Sequence, residues 1–266
     1  KPMHIMNLPQ TANDEDSLEF WKKEMVKFKN FLENQFSLEI TDEKLRDAIK
    51  LMNRERKALR DLHKLNSHKP APLSGMDMML AQWLKGFNVD KEAGIEVIEK
   101  LIQETRDNVS KGLFAFDESA PRILLTGTPI GVGSEKVLRA LEEAGASVVA
   151  LENCTGYKGL DVLVDESKDP ITALAEKYLS TPCSCMTGNN GRLDLIRRLC
   201  EEYNVDGVVD LTWQACHTYN IESYTVKKYV QEQLGLPFMQ IETDYSDSDT
   251  GQVKVRAEAF VETLRV

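Results

Sequence analysis

The cysteines of this chain lie in a single stretch of its sequence. All five fall between Cys154 and Cys216, and none occurs in the preceding 153 residues. An odd number of thiols at so low a density is not typical of a disulfide scaffold and favours metal or redox chemistry. The alternative is that buried structural cysteines cluster here by chance.

Four of these cysteines fall in predicted loops. Cys154 and Cys216 each follow a predicted strand, and Cys183 and Cys185 lie in a turn-rich segment after a predicted helix. In an open parallel sheet the loops after the strands meet at one edge, so we expect these four thiols to lie together. Cys200 occupies an ordinary helix position, and we expect it only to pack.

Thiolates drawn from several loops suit soft metals, with structural zinc and iron–sulfur clusters as the leading candidates. Cys183 and Cys185 are too close in sequence for the usual zinc knuckle. Because a cluster is large and its ligands lie several ångströms apart, the spacing favours an iron–sulfur cluster held by Cys154, Cys183, Cys185 and Cys216. A structural zinc domain stays the alternative.

The elements that position these residues begin with a helical half. From Asn13 to about Asn108 apolar residues recur at intervals of three and four, which predicts helices. Ser17 is the predicted cap of the first helix, and Thr41 begins the second. Two further helices are predicted near Gly75–Lys85 and Asp90–Ser110.

After Pro121 short apolar runs alternate with helical segments. Ser134 is the predicted cap of the helix that follows the first strand. Strands separated by helices need right-handed crossovers and therefore pair in parallel. The sequence thus predicts an α/β fold, a mainly parallel sheet with helices on both faces (a Rossmann- or flavodoxin-like three-layer arrangement), preceded by a helical segment. The predicted strands are Arg122–Gly127, Ser147–Leu151, Asp206–Leu211 and Pro237–Ile241.

The glycines after the first predicted strand do not indicate a nucleotide site. Gly127, Gly131 and Gly133 match neither the Gly-Lys-Ser/Thr ending of a phosphate loop nor the Gly-x-Gly-x-x-Gly pattern. Close packing of the strand against the following helix explains them.

The chain divides into three predicted segments. Residues 13–118 form the helical segment, and residues 119–266 form the α/β domain that carries the cysteines. Met3–Leu8 is typical of a strand, yet no partner strand precedes it. We therefore interpret residues 1–12 as the end of a missing N-terminal α/β domain.

Composition restricts the class of protein. With 42% hydrophobic and 29% charged residues, the chain is expected to bury a core. A net charge of −10 disfavours nucleic acid and anionic membrane surfaces, because both need an excess of lysine and arginine. No apolar run approaches the roughly 20 residues that cross a bilayer. We expect a cytoplasmic protein with neither of these partners.

Four motifs, taken in order, carry a resemblance to a known family. They resemble the 2-hydroxyacyl-CoA dehydratase/benzoyl-CoA reductase family, and more closely its double-cubane cluster branch, known as the 2-hydroxyglutaryl-CoA dehydratase D-component. The resemblance covers essentially the whole chain. The motifs are Thr126–Ile130 (TGTPI), Glu152–Lys158 (ENCTGYK), Pro182–Met186 (PCSCM) and Trp213–Tyr219 (WQACHTY).

The resemblance implies a protein with two similar α/β domains plus helices, which binds an oxygen-sensitive iron–sulfur cluster and receives electrons from a separate ATP-hydrolysing activator. It also implies a homodimer. A double-cubane cluster, with three thiolates on each four-iron unit, needs about six cysteines. Cys154, Cys183, Cys185 and Cys216 would supply four. The missing N-terminal part is then expected to supply the others, and this segment alone is expected to be inactive.

Polar residues beside the cysteines are candidates for catalysis and binding. His217 is a candidate proton donor to a substrate or a cluster, and Glu152 is a candidate general acid or a group that orients Cys154. Lys158 and Arg192 are candidates for neutralising the site or binding a phosphate of coenzyme A. The alternatives are hydrogen bonding to local backbone for His217 and Glu152, and ordinary exposed charge for the two basic residues.

The leading hypothesis is an iron–sulfur (double-cubane) reductase or dehydratase component that reduces a small substrate with low-potential electrons from the activator. One alternative is a 2-hydroxyacyl-CoA dehydratase subunit with a single four-iron cluster. Another is an electron-transfer or cluster-scaffold subunit without its own substrate site. The pair Cys183-x-Cys185 favours the double-cubane branch, because its extra thiol has no obvious use at a single cluster.

Overall fold

The computed structural model of the protein describes residues 1–265. By contacts the chain forms two units: unit 1 is residues 1–56 and 162–192, and unit 2 is residues 57–161 and 193 onward. The segment boundaries expected near residues 12 and 118 stay predictions. In chain order the elements are α1 (Glu15–Phe36), α2 (Asp42–Lys64), α3 (Gly75–Phe87), α4 (Lys91–Ser110), β1 (Arg122–Gly127), α5 (Lys136–Glu143), β2 (Ser147–Leu151), α6 (Pro170–Leu179), α7 (Asn190–Glu202), β3 (Gly207–Trp213), α8 (His217–Gln233), β4 (Phe238–Thr243) and α9 (Thr250–Thr263), with 3₁₀ turns at Leu65–Ser67 and Tyr157–Gly159.

Unit 2 contains a four-stranded sheet in the order β2-β1-β3-β4, and every adjacent pair is parallel. Every residue of β1, β2 and β3 is buried, which is typical of strands covered on both faces. This confirms the predicted α/β fold with a parallel sheet flanked by helices. The strand order reverses between β1 and β3, and in open sheets of this kind ligands bind outside the carboxyl ends of the strands at such a point.

The core of unit 2 joins the sheet to its covering helices. Leu124 of β1 and Val208 of β3 pack with Leu195 and Leu199 of α7 and with Val226 of α8. Each buried aliphatic side chain of this size stabilises the fold by roughly 1.5–3 kcal/mol. The sheet and its helices therefore hold the strand ends in fixed positions.

Unit 1 packs α1 against α6. Trp21 of α1 is buried against Ala175 and Leu179 of α6. The Asn53 side chain fixes the segment before α6, because its amide donates to the Val164 carbonyl at 2.8 Å and its oxygen accepts from the Val164 N–H at 3.0 Å.

The strand expected at Met3–Leu8 is absent from the structure: these residues have no regular secondary structure. A strand needs a neighbour to satisfy its backbone groups, and the Asn7 N–H instead donates to the buried carboxylate of Glu24 at 2.9 Å. The short apolar run before Pro9 was thus mistaken for a strand.

Two predicted helix caps are also wrong. Asp14, and not Ser17, caps α1, and its carboxylate accepts from the Ser17 N–H at 2.7 Å. Glu135 precedes α5, and Ser134 instead accepts from the Gly131 N–H at 2.9 Å within the preceding turn. Within residues 1–265 no helix combines the length and the apolar character that spanning a membrane requires.

Candidate functional site

The carboxyl ends of β1 and β3 are joined directly. The N–H and hydroxyl of Thr128 both donate to the Leu211 carbonyl, at 2.8 and 3.0 Å, and the Trp213 indole donates to the Pro129 carbonyl at 2.9 Å. Gly127 has φ +105°, and a Cβ there would lie 2.1 Å from the Leu211 oxygen. A side chain at Gly127 would therefore force β1 and β3 apart. Close packing thus explains this glycine, but the packing is against β3 and not against the following helix, as the sequence had predicted.

A chain of buried polar contacts begins next to the joined ends of β1 and β3, and all of it lies within unit 2. Glu152, at the end of β2, accepts a hydrogen bond from Thr126 of β1 and forms an ion pair with Lys158, whose Nζ lies 3.2 Å from Oε1. Lys158 Nζ also lies 3.0 Å from the Tyr219 hydroxyl and 5.1 Å from the centre of its ring. The Tyr219 hydroxyl lies 3.4 Å from Cys154 Sγ. These contacts join the loop after β2 to the first turn of α8.

Burial distinguishes this network from a surface charge cluster. The side chains of Lys158 and Glu152 are 1% and 0% exposed, and Tyr219 is also buried, whereas Cys154 is exposed. Lys158 is thus not the exposed basic residue that the alternative interpretation expected. Its role as a phosphate ligand stays a prediction.

Asn153, next to Cys154, is buried as well. Its side-chain oxygen accepts from the Thr155 hydroxyl at 3.1 Å, and its Nδ2 has no hydrogen-bond partner among the described residues. A buried donor without a partner costs about 1–3 kcal/mol. This unsatisfied N–H group belongs to the residue that precedes Cys154 in the sequence.

Cys216 lies at the start of α8, where it is the residue that caps the helix, and it is partly exposed. The residue before it, Ala215, has φ +67°, a conformation that costs a non-glycine residue about 1–2 kcal/mol. His217 is exposed as the first residue of α8. The exposed start of a long helix presents N–H groups that favour negative charge, which suits a thiolate.

The other two loop cysteines belong to unit 1. Cys183 Sγ and Cys185 Sγ lie 3.3 Å apart, Cys185 is exposed, and Cys183 is partly exposed. The turn that carries them is held by the Met186 N–H, which donates to the Cys183 carbonyl at 3.0 Å. Arg192 is buried at the start of α7 and is likewise not an exposed surface charge.

Cys200 differs from the other four cysteines, as predicted. It is buried in α7 within the core of unit 2, and burial raises the pKa of its thiol to about 12. It is a packing residue.

The donor chemistry of the four loop cysteines fits iron–sulfur ligation. None of the four is in a disulfide, and each has some solvent exposure. Within residues 1–265 no group of three or more His, Cys, Asp or Glu side chains is placed to hold a metal ion. Cys154 and Cys216 belong to unit 2 and Cys183 and Cys185 to unit 1. The expected assembly of all four at one place stays a prediction.

A sequence model of the family described as "2-hydroxyglutaryl-CoA dehydratase, D-component" matches residues 1–264. The chain belongs to this family. The resemblance inferred from the four motifs is therefore confirmed at the level of the family.

Three curated proteins are similar to this D-component chain over nearly its whole length. "Putative dehydratase subunit YjiM" of Escherichia coli (strain K12) is 45% identical over 264 residues, which are 99% of this chain and 68% of the relative. The "(R)-phenyllactyl-CoA dehydratase beta subunit" of Clostridium sporogenes is 26% identical over 260 residues, which are 97% of this chain and 67% of the relative. The "(R)-2-hydroxyglutaryl-CoA dehydratase, subunit beta" of Acidaminococcus fermentans is 24% identical over 275 residues, which cover 99% of this chain and 69% of the relative.

Sequence reasoning missed the roles of Tyr219 and Thr126 in this D-component chain. Tyr219 was noted only as the end of the motif Trp213–Tyr219, yet its hydroxyl contacts both Lys158 and Cys154. The available signal was that polar residues interrupt otherwise apolar strands, as Thr126 does in β1 and Asp210 does in β3, where both are fully buried. Buried polar residues at strand ends indicate a hydrogen-bonded network rather than simple packing.

Proposed function

We propose that this chain is the iron–sulfur component of a dehydratase or reductase of the D-component family, with Cys154, Cys183, Cys185 and Cys216 as iron ligands. One observation carries the proposal. The four cysteines in loops form no disulfide and are at least partly exposed, whereas the one in a helix is buried in the core. Packing alone would not keep four thiols accessible, because free cysteine is among the most often buried residue types.

The bound cluster would supply single low-potential electrons for the reduction of a small substrate, such as the thioester carbonyl of a 2-hydroxyacyl-CoA. The protein residues bind and orient. Glu152 and Lys158 fix the loop that carries Cys154, and the start of α8 holds Cys216. His217 is exposed beside Cys216 and is the candidate for delivering a proton to the departing hydroxyl group.

The proposal includes a separate ATP-hydrolysing activator as the electron donor. The curated relatives are named as subunits of dehydratases, which supports association with at least one partner protein. A homodimer is the arrangement we propose for the chain itself.

The test is anaerobic reconstitution of the protein at its full natural length with iron and sulfide, followed by analysis of iron, acid-labile sulfide and zinc. We expect iron and acid-labile sulfide in nearly equal amounts. Replacing Cys154 or Cys216 with serine should lower the iron content, whereas the matched variant Cys200→Ala should keep it. Zinc without sulfide, or iron retained in all the serine variants, would contradict the proposal.

We propose the double-cubane form over a single cluster because the motifs resemble the double-cubane branch of the family. The number of thiols does not decide between them, since four thiolates can also complete a single four-iron cluster. About eight irons per chain would support the double form and about four the single form. Dehydration of a 2-hydroxyacyl-CoA in the presence of the activator would then separate a catalyst from an electron carrier.

A further inference from the structure

The contacts around Tyr219 have a fixed direction. An ammonium group has three N–H donors and no acceptor, so Lys158 must donate to the Tyr219 oxygen across their 3.0 Å contact. The phenol has a single proton, and that proton must point away from the ammonium. The Tyr219 hydroxyl lies 3.4 Å from Cys154 Sγ. A thiolate that binds iron has no proton of its own, so a hydrogen bond between these two atoms then runs from the phenol to the sulfur.

Glu152 keeps Lys158 in this position. Its two carboxylate oxygens are used by Lys158 and Thr126, and the three side chains are buried together. A lysine in this pair cannot swing into water without leaving a buried carboxylate uncompensated, which costs about 3–5 kcal/mol. The orientation of the Tyr219 hydroxyl is thus fixed by residues from β1, β2 and the turn after β2.

We propose that Tyr219 is a positioning residue that donates a hydrogen bond to the sulfur of Cys154 and so raises the reduction potential of iron bound there, with Lys158 and Glu152 fixing its orientation. This inference rests on the proposed role of Cys154 as an iron ligand. A donor to a thiolate ligand favours the reduced state, because reduction adds negative charge to the iron and its sulfurs. The hydrogen bond therefore stabilises the state that carries the electron.

The experiment compares the reconstituted protein with its Tyr219→Phe variant in a redox titration followed by electron paramagnetic resonance. The variant removes one hydroxyl and keeps the ring. We expect its iron and sulfide content to match the parent and the equilibrium constant for reduction to fall about tenfold, which corresponds to about 59 mV for a one-electron couple. Tyr224→Phe is the matched control, because Tyr224 lies on the same helix and is 73% exposed. It should leave the potential unchanged.

A second variant tests the orientation by Lys158. The pair Glu152→Gln with Lys158→Met removes both charges together, so no uncompensated charge stays buried. Its potential should shift in the same direction as that of Tyr219→Phe, and adding Tyr219→Phe to it should shift the potential little further.

The outcomes separate this inference from the proposed function. If the parent protein incorporates no iron and sulfide, the proposed function fails and this inference fails with it. If the parent incorporates both and Tyr219→Phe has an unchanged potential, only the inference is overturned. A purely structural Tyr219 would lower the iron content or the stability without moving the potential of the iron that stays bound.

Discussion

The ion pair between Glu152 and Lys158 gives a prediction whose magnitude follows from burial. In Lys158→Met the carboxyl group of Glu152, at 0% exposure, loses the ammonium that lay 3.2 Å from it. Removing one partner of a buried pair costs about 3–5 kcal/mol. Loss of the hydrogen bond to Tyr219 adds about 1 kcal/mol. We therefore expect the free energy of unfolding to fall by about 4–6 kcal/mol, a large part of the about 5–15 kcal/mol of a typical protein.

The assay is urea unfolding followed by far-ultraviolet circular dichroism, with the same slope against urea required of each variant. The double variant of Glu152→Gln and Lys158→Met should regain most of the loss, because both charges leave together. Arg198→Met is the control. Arg198 forms a two-bond ion pair with Asp161 at 2.9 and 2.7 Å but is 46% exposed, so it should cost under about 1 kcal/mol. A similar small cost for Lys158→Met would refute the reasoning.

Three further predictions concern other residues of unit 2. Burial raises the pKa of Glu142 from 4.5 to about 7, so the folded state favours the protonated acid. The free energy of unfolding should therefore fall as the pH rises from about 4.5 to about 7, by at most about 1.4 kcal/mol per pH unit. Glu142→Gln should remove this slope in urea titrations at several pH values, and an unchanged slope would contradict it. Ala215→Gly should raise the thermal midpoint, since it relieves up to about 1–2 kcal/mol at φ +67°, and a lower midpoint would show that Ala215 is not strained. Cys200 should resist iodoacetamide at pH 8 in the native, metal-free protein while the four loop cysteines react, as counted by mass spectrometry; native alkylation of Cys200 would contradict its burial.

The sheet could be predicted because its signal is local and strong. β1 and β2 coincide with the predicted runs Arg122–Gly127 and Ser147–Leu151, since short aliphatic runs bounded by proline or glycine have few other uses. β3 extends two residues beyond its predicted end because Thr212 and Trp213 still pair with β4. The last paired residue of a strand depends on the length and register of its neighbour, and the sequence of the strand itself does not give these.

The caps and the N-terminal segment were predicted less well for a related reason. Asp14 and Ser17 are both favourable cap residues three positions apart, and the choice between them depends on where the chain turns. The chain turns at Asp14, with the Thr11 hydroxyl 2.9 Å from that of Ser17. The predicted strand at Met3–Leu8 is wrong because a short apolar run does not by itself supply a partner strand.

Prediction of the candidate site is also limited by contacts between residues that lie far apart in the sequence. The four loop thiols were identifiable because cysteine is rare and its position after a strand is informative. The burial of Lys158 was not, since it depends on Glu152 six residues earlier and on Tyr219 sixty-one residues later. No pattern within the loop distinguishes such a lysine from an exposed one.

The strand order explains where the polar chemistry of unit 2 lies. The edge where the order reverses, between β1 and β3, is closed by the bonds of Thr128 to Leu211 of β3 and of Trp213 to Pro129 in the loop after β1. The space that an open sheet offers to a ligand at this point is therefore filled by the chain itself. Cys154 lies on the loop after β2 and Cys216 at the start of α8, and both stay accessible around the closed edge. Tyr219 is the residue that connects the two, since it belongs to the first turn of the helix that Cys216 caps and contacts the sulfur of Cys154. A change at Tyr219 should consequently alter the chemistry of Cys154 without opening the sheet.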